Sequence, residues 1–348
     1  MKYYKEGKNW WRDNRYHFMS KMNLESGITE FGSANSKGSP YYHILSPADQ
    51  KNKLHNFIGE QEIYNHVIER FKTKAGDLKR VLTNTVASQP CCFNLFTPLR
   101  NRLPLASKLF SHLLQKEITV SELIIEFTPG QYNGSDETIG DQSAQGGTDS
   151  DVAVFYTTAD SKKGVLLIEF KYIEYEFSVC SSYKNKNISD ICDTPDFYKK
   201  LIAPNINSSA KQFDCGYLKY QNWRLLEDSA AFNADKIKTA NRCPFRFSLN
   251  QLWRNMLLAE KVAKARHLDE FGFWVINPKE NSFALQNSGE NVKDEFLNIL
   301  SDKGKSLFKV LELDNDVVKP LEQLSTEEWT DEWLRKFRQR YLTNTDFH

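Results

Sequence analysis

The feature that most constrains the fold of this chain is a strand-like run that is apolar on both faces and yet carries charge. Residues 165–173 read VLLIEFKYI, with Glu169 and Lys171 two positions apart. Side chains two apart in a strand point to the same face, so this carboxylate and this ammonium project together. Their neighbours on that face, Val165 and Leu167, are apolar. The pair is therefore predicted to emerge from a buried strand.

A second predicted strand stands just before the first. Residues 151–157 read DVAVFYT, and the turn-like segment 159–164 lets the two strands pair as a hairpin. Asp151, at the start of one strand, then lies beside Glu169, near the end of the other. The alternative is a salt-bridged rung of an ordinary sheet, but burying such charges costs several kcal/mol unless they are well paired. Other acidic-x-Lys triplets, beginning at positions 6, 49, 77 and 160, do not lie in an apolar strand.

Two carboxylates and one ammonium at a sheet edge have a chemical use. Mg²⁺ prefers oxygen ligands and is usually held by one or two carboxylates together with water. A metal held in this way lowers the pKa of a bound water and neutralises charge on a phosphate. The ammonium can orient the attacking water and stabilise the charge that develops on the phosphate. The pattern therefore predicts a phosphodiesterase site.

The surrounding segments predict the order helix, strand, strand, strand, helix, strand. Helical spacing or strand-like runs place these elements at 103–115, 120–127, 151–157, 165–173, 249–267 and 271–276. A further helix is predicted upstream, and the C-terminal region is predicted to hold two or three more. We expect a polar, partly flexible N-terminal segment (1–45), a core domain (46–280) and a C-terminal helical extension packed on the same domain (281–348).

The charged strand and its surroundings resemble the PD-(D/E)XK nuclease superfamily, in particular a bacterial restriction-endonuclease-like branch. The resemblance is carried by Asp151, by IEFKYIE at 168–174, by FTP at 127–129 after Glu126, and by QLWRN at 251–255. It spans roughly residues 50–280 and is looser at both ends. It implies an α/β fold with a restriction-endonuclease-like αβββαβ core, a mixed sheet flanked by helices, with additional N- and C-terminal helices. It also implies Mg²⁺-dependent cleavage of nucleic acid, most often DNA.

The resemblance also implies roles for individual residues. Asp151 and Glu169 correspond to the metal ligands and Lys171 to the water-positioning residue, with Glu126 as an additional acidic member. The implied cofactor is Mg²⁺, for which Mn²⁺ can substitute. The first motif departs from the family pattern because it has no Pro-Asp dipeptide. Asp149 shares strand parity with Asp151, so facing does not separate them, and Asp151 is preferred because it begins the apolar run.

Further candidates each have a plain structural alternative. Glu174, three residues after Lys171, is an additional candidate for the site and faces the other way if the strand continues. The alternative is a solvent-exposed residue at the end of the strand. Gln251 and Arg254 lie about one helical turn apart and can contact a phosphate or brace Lys171, or serve as ordinary helix residues. Cations interleaved with aromatic residues suit nucleic-acid binding, although a solvated face has the same composition. These cations are Lys199, Lys200, Lys211, Lys219 and Arg224.

Other sequence features restrict the class of protein. The six cysteines form no CxxC pair and read as reduced thiols, and the spacing of Cys180, Cys192, Cys215 and Cys243 matches no zinc pattern. The chain contains no run of 18 apolar residues, no secretory signal and no phosphate-binding loop of an ATPase, so a cytoplasmic protein without membrane contact is expected. An acidic block at 109–174 lies between basic blocks, as suits a metal site surrounded by cations, although charge blocks along a sequence need not be neighbours in space.

Together these features predict a metal-dependent nuclease, most simply a DNA endonuclease of restriction or defence type. The alternative is a nucleic-acid-binding protein of the same fold that is catalytically silent or gated by a partner. Nucleic acid, with DNA favoured, is the expected substrate. A homodimer or a partner protein of a defence system is compatible with the sequence, since cutting both strands of a duplex usually calls for two active sites.

Overall fold

The architecture is a mixed β-sheet with helices on both faces. The computed structural model describes residues 3–7, 9–33, 38–46, 52–59, 61–73, 77–140, 148–174, 176–202, 215–219, 221–281, 286–287, 290–325 and 327–343. Within these ranges lies a five-stranded sheet. Its strands, in their order across the sheet, are β1 (Ile118–Phe127), β4 (Ser150–Thr158), β5 (Lys163–Phe170), β6 (Glu270–Asn277) and β9 (Phe308–Glu312). Two short hairpins stand apart from it: β2 (Gln131–Tyr132) with β3 (Ser135–Asp136), and β7 (Gln286–Asn287) with β8 (Glu290–Asn291).

The helices precede, interrupt and follow the strands. The N-terminal ones are α1 (Trp10–Glu25), α2 (Asn52–His55), α3 (Gln61–Thr73), α4 (Leu78–Thr83), α5 (Ser88–Arg100) and α6 (Leu103–Leu114). Between β5 and β6 lie α7 (Lys186–Cys192), α8 (Phe197–Ile202), α9 (Gly216–Lys219), α10 (Asn222–Glu227), α11 (Ala234–Lys238) and α12 (Leu249–Ala265), with short 3₁₀ turns at Ser182–Lys184 and Pro244–Arg246. The C-terminal helices are α13 (Val292–Ile299), α14 (Asp302–Leu307), α15 (Lys319–Leu324) and α16 (Glu328–Phe337), with π-helical turns at Leu313–Val318 and Arg338–Leu342.

The sheet combines an antiparallel half with a parallel half. β1 pairs antiparallel with β4, and β4 pairs antiparallel with β5, as expected for a strand hairpin joined by a short turn. β6 pairs parallel with β5, and β9 pairs parallel with β6, because a long crossover precedes each of them. The order α6, β1, β4, β5, α12, β6 confirms the predicted αβββαβ core.

Both faces of β5 are buried because each face packs against its own core. One core contains Ile168 and Phe170 and lies against the N-terminal helices and against α15 and α16. The other contains Val165 and Leu167 and lies against α12 and the segments that lead into it. The apolar character of both faces of this strand is therefore explained by helices on each side of the sheet.

Several elements were not predicted from the sequence, among them α1, α5 and β9. The N-terminal segment, interpreted as polar and partly flexible, contains α1, which places Trp11 and Met19 in the core and also buries Arg15. Buried polar residues of this kind hide the apolar periodicity of a helix. α5 is buried along almost its whole length, so it has no polar face to reveal a helical period. The C-terminal extension, predicted to be helical, also contributes the edge strand β9. The boundaries at 45 and 280 stay predictions.

The cysteines are free thiols. All six are buried and none forms a disulfide. Cys180, Cys192, Cys215 and Cys243 lie in the core on the α12 side of the sheet. The backbone N–H of Cys243 donates to the carbonyl of Cys192 at 2.8 Å, so these two thiols belong to neighbouring chain segments.

Candidate active site

The charged residues lie where β4 begins and β5 ends. Val152 pairs with Ile168 across the two strands, so Asp151 and Glu169 belong to the next rung of the same antiparallel ladder. Residues on one rung of such a ladder point to the same face of the sheet. That face is the α12 side, where Ala153 also packs. The hairpin therefore brings the two carboxylates together, as the sequence predicts.

Lys171 extends the ladder by one residue and pairs with Glu169. Its backbone N–H donates to the carbonyl of Ile276 at 2.9 Å, which holds it beside β6. Its Nζ lies 2.8 Å from Glu169 Oε1, and the two side chains are only 9% and 4% exposed. Burial lowers the pKa of Lys171, but the charges of Glu169 and Asp151 outweigh burial, so its pKa lies above the usual value. Burial of this pair is tolerable because each charge has a partner.

Asp151 is held by the backbone of the neighbouring strand. Its Oδ2 accepts a hydrogen bond from the N–H of Phe170 at 2.7 Å. Burial raises the pKa of Asp151 well above its ordinary value, and the negative charges of Glu169 and Glu126 raise it further. Three carboxylates thus lie close enough to repel one another, with Lys171 as a compensating cation.

Two amide side chains from α12 hold the carboxylate of Glu169. Gln251 Nε2 donates to Glu169 Oε1 at 2.7 Å, and Asn255 Nδ2 donates to Glu169 Oε2 at 2.9 Å. Gln251 Oε1 accepts from Lys171 Nζ at 3.2 Å and from the N–H of Ser178 at 2.7 Å. Sequence reasoning identified Gln251 but missed Asn255. The sequence signal that could have identified Asn255 is its position four residues after Gln251, which puts both side chains on one face of the helix.

Glu126 joins the group through an irregularity near the end of β1. Its φ is 58°, a left-handed value that is uncommon outside glycine and often found at functional sites. Its side chain is 5% exposed, and Oε1 accepts a hydrogen bond from Gln89 at 2.9 Å. Arg70 donates to the carbonyls of Ile125, at 3.0 Å, and of Glu126. These contacts hold the strained backbone in place.

A family model described as the PD-(D/E)XK nuclease superfamily matches residues 7–213 and 219–343 of this chain. The chain belongs to the PD-(D/E)XK nuclease superfamily. The match covers most of the sequence, and the five-stranded sheet flanked by helices has the fold expected of a restriction-endonuclease-like member. Membership indicates a nuclease that acts on nucleic acid. No curated protein and no solved structure matches the chain.

In this PD-(D/E)XK protein the other predicted candidates have different surroundings. Glu174 turns toward the first turn of α5, where its carboxylate accepts hydrogen bonds from the N–H groups of Ser88 and Tyr172, at 3.1 and 3.0 Å. Asp149 is exposed and lies one residue before β4. Arg254 lies near Tyr217, where its charge opposes the larger effect of burial on the pKa of that tyrosine. The structure therefore brings Glu169, Lys171 and Gln251 into contact, places Asp151 close enough to feel the charges of Glu169 and Lys171, and does not place Glu174 among them.

The cations predicted to bind nucleic acid are only partly within the described residues. Lys199 and Lys200 are exposed on α8, with Lys199 Nζ 3.3 Å from Asp196 and Lys200 Nζ 2.8 Å from the hydroxyl of Thr194. Arg224 is exposed on α10. Lys211 lies outside the described residues, and the side chain of Lys219 is not described. The aromatic residues near them, such as Trp223, pack inward.

The donor set suits a hard divalent cation. PD-(D/E)XK nucleases generally use divalent metal ions, and Asp151 and Glu169 offer carboxylate oxygens on one rung of the sheet. Among the described residues no group of three or more histidine, cysteine or acidic side chains has the arrangement of a metal cage. Two carboxylates completed by water fit Mg²⁺, which rarely takes an all-protein cage.

No helix of the described chain is long and apolar enough to cross a membrane.

Proposed function

We propose that this protein is a metal-dependent DNA endonuclease of restriction or defence type. The observation that carries the proposal is the buried group formed by Asp151, Glu169 and Lys171 at the meeting point of β4 and β5. This group supports phosphodiester hydrolysis because it offers carboxylate oxygens as metal ligands, together with a cation, at one buried edge of the sheet. The preference for DNA comes from the family resemblance.

Asp151 and Glu169 are proposed to hold Mg²⁺, with Mn²⁺ able to substitute and Glu126 as an additional ligand. Bound there, Mg²⁺ lowers the pKa of a water and neutralises charge on the phosphate. Gln251 supports this arrangement because it donates to Glu169 and accepts from Lys171, which fixes the distance between carboxylate and ammonium. The backbone N–H of Phe170 likewise holds the carboxylate of Asp151 in place, by donating a hydrogen bond to its Oδ2.

Lys171 is proposed to orient the attacking water and to stabilise charge on the phosphate. An ammonium group has three N–H donors. Glu169 Oε1 and Gln251 Oε1 take two of them. The third donor can reach a water or a phosphate oxygen, while the other two keep the side chain from turning away. A fixed cation of this kind stabilises the transition state without reorganisation during the reaction.

The test is cleavage of supercoiled plasmid by the purified protein with Mg²⁺, Mn²⁺ or EDTA. We expect nicking or linearisation that depends on metal and is lost in Lys171→Ala and in Glu169→Gln, with folding of both variants checked by circular dichroism. Lys162→Ala is the matched control, because Lys162 also pairs with an acidic residue two positions earlier, Asp160, at 2.8 Å, but on an exposed turn. Undiminished cleavage by folded Lys171→Ala would contradict the proposal.

A parallel set of substrates tests the finer parts of the proposal. Single-stranded DNA, RNA and linear duplex DNA, cleaved under the same conditions, show whether DNA is preferred. Sedimentation of the protein with and without duplex DNA shows whether it acts as a homodimer, which symmetric cutting of both strands calls for. DNA retention without turnover in any metal would favour the binding protein of the same fold.

A further inference from the structure

The N-terminus of α12 lies at the same edge of the sheet as the candidate active site. β5 ends at Phe170, and α12 belongs to the crossover that returns the chain to the start of the parallel strand β6. A helix in such a crossover begins near the carboxyl end of the strand that precedes it. Gln251, the third residue of α12, confirms this placement by its contacts with Glu169 and Lys171.

A small cavity opens at this helix end. Its volume is about 220 Å³, less than a pocket for a whole drug-sized ligand and enough for a phosphate group with its waters. The cavity is bounded on one side by the residues around the first turn of α12 and on the other by α13. Its lining includes Arg242, Arg246, Phe247, Ser248, Leu249 and Glu295.

Two buried polar side chains in this lining each have an atom without a hydrogen-bond partner within the described part of the chain. Ser248 is 2% exposed and Arg246 is 8% exposed. Neither Ser248 Oγ nor Arg246 Nη1 has a hydrogen-bond partner there. Ser248 is the N-cap of α12, yet its hydroxyl does not cap the helix. A buried polar atom without a partner is costly, so these donors favour a bound acceptor at the edge of the cavity.

The charges around the cavity favour an anion held at close range. The first N–H groups of a 17-residue helix carry partial positive charge and point out of its end. Arg246 Nε lies 3.2 Å from Asp193, and Glu295 stands on the far wall. These two acids limit the net positive charge around the cavity. An anion bound there would be held by the Ser248 hydroxyl, the Arg246 guanidinium and the helix end rather than by a broad basic surface.

We propose that this cavity binds a phosphate group of the nucleic-acid chain next to the phosphodiester that is cleaved. The proposal rests on the proposed nuclease function and extends it by a second phosphate contact. Ser248 precedes Gln251 by three residues, or roughly 4.5 Å along the helix axis, so the two sites share the first turn of α12. The phosphate held by Ser248 and Arg246 positions the strand so that its neighbour meets Asp151, Glu169 and Lys171.

The test is the affinity for labelled oligonucleotides, measured by fluorescence anisotropy in EDTA so that cleavage plays no part. Ser248→Asp places a negative charge beside the cavity. With folding of the variant checked by circular dichroism, we expect its affinity to fall by about tenfold or more. Ser301→Asp, the same change at the N-cap of α14, is the matched control and keeps full affinity.

Arg246→Gln provides a second variant that does not depend on the stability of Ser248→Asp. We expect it to reduce the slope of log affinity against log salt by about one, the signature of one lost phosphate contact. Oligonucleotides with a 5′-phosphate or a 5′-hydroxyl distinguish the source of the bound group. A requirement for the 5′-phosphate identifies a terminal phosphate, and equal binding identifies an internal phosphodiester.

The outcomes separate this site from the nuclease proposal. If wild-type protein binds oligonucleotides and folded Ser248→Asp binds equally well, with an unchanged salt slope in Arg246→Gln, the phosphate site is overturned and the nuclease proposal stands. If the wild type neither binds nor cleaves any nucleic acid, both proposals fail. Weak binding by both variants, with normal binding by Ser301→Asp, establishes the phosphate site.

Discussion

At the residue scale, the ion pair between Glu169 and Lys171 is almost inaccessible to water. Removing two charges from water costs several kcal/mol for each ion, and their mutual attraction offsets this only when further hydrogen bonds satisfy them. Gln251 and Asn255 supply those bonds from one face of α12. The conformation of Glu169 is therefore set by a helix more than 80 residues away in sequence.

Asn255→Ala tests whether this support matters for metal binding. The change leaves Glu169 Oε2 without its buried donor, so we expect the affinity for Mn²⁺ to fall by about tenfold to a hundredfold, as is usual when a group that orients a ligand is lost. Calorimetric titration with Mn²⁺ measures this without any cleavage. Asn250→Ala is the matched control, because Asn250 is an equally buried asparagine of α12 that contacts Tyr217 instead. Equal Mn²⁺ affinity in Asn255→Ala and the wild type would contradict the prediction.

At the element scale, Glu174 connects the segment that follows β5 to the first turn of α5. Its carboxylate accepts from the N–H groups of Ser88, Tyr172 and Ile173, and Arg80 lies 3.3 Å away. A carboxylate at a helix N-terminus satisfies N–H groups that the helix itself leaves unpaired. This arrangement supports a structural role for a residue that the sequence also allowed as catalytic.

Glu174→Gln is predicted to lower the free energy of unfolding by about 1–3 kcal/mol, since it removes the charge from several hydrogen bonds at once. Urea unfolding measures the change. Glu176→Gln, at an exposed position two residues later, should stay within about 0.5 kcal/mol of the wild type. A loss of cleavage in Glu174→Gln under conditions where the protein is fully folded would instead assign Glu174 a part in catalysis.

At the scale of the whole molecule, the two cores on opposite faces of the sheet draw on distant parts of the chain. The core away from α12 joins Trp11 of α1 to Tyr341 near the C-terminus. Three neutral histidines lie among the helices of this side, of which His43 and His66 are buried and His55 is half-buried. Burial lowers the pKa of His43, His55 and His66 to about 4 in each case.

These histidines predict a loss of stability on acidification. The unfolded chain takes up protons near pH 6.5, whereas the folded protein does not until about pH 4, so stability is fully present above pH 6.5 and falls as the pH drops toward 4. We expect a decrease of a few kcal/mol across this window, measured by urea unfolding. His66→Gln keeps a polar partner for Thr97, 2.9 Å from His66 Nδ1, and should flatten the dependence. Identical pH profiles for the two proteins would contradict this assignment.

Local patterns in the sequence are sufficient to predict much of this protein. Period-two alternation and a short turn place Asp151 and Glu169 on neighbouring strands, and two-residue spacing places Lys171 beside Glu169. Helical spacing identifies α6 and α12, and with them the αβββαβ order. These features are local because strand faces and helix faces follow from a few consecutive residues.

Only the tertiary structure decides which distant side chains complete the site. Asn255 contacts Glu169 because the crossover brings the start of α12 back to the end of β5, whereas the local spacing shows only that Asn255 shares a helix face with Gln251. The same holds for α1 and α5, whose helical periods are masked by burial on all sides or by buried polar residues. The local sequence is sufficient to predict the αβββαβ core and the Glu169–Lys171 pair. The packing of distant segments determines which side chains of α12 contact that pair, because burial depends on contacts between parts of the chain that are far apart in sequence.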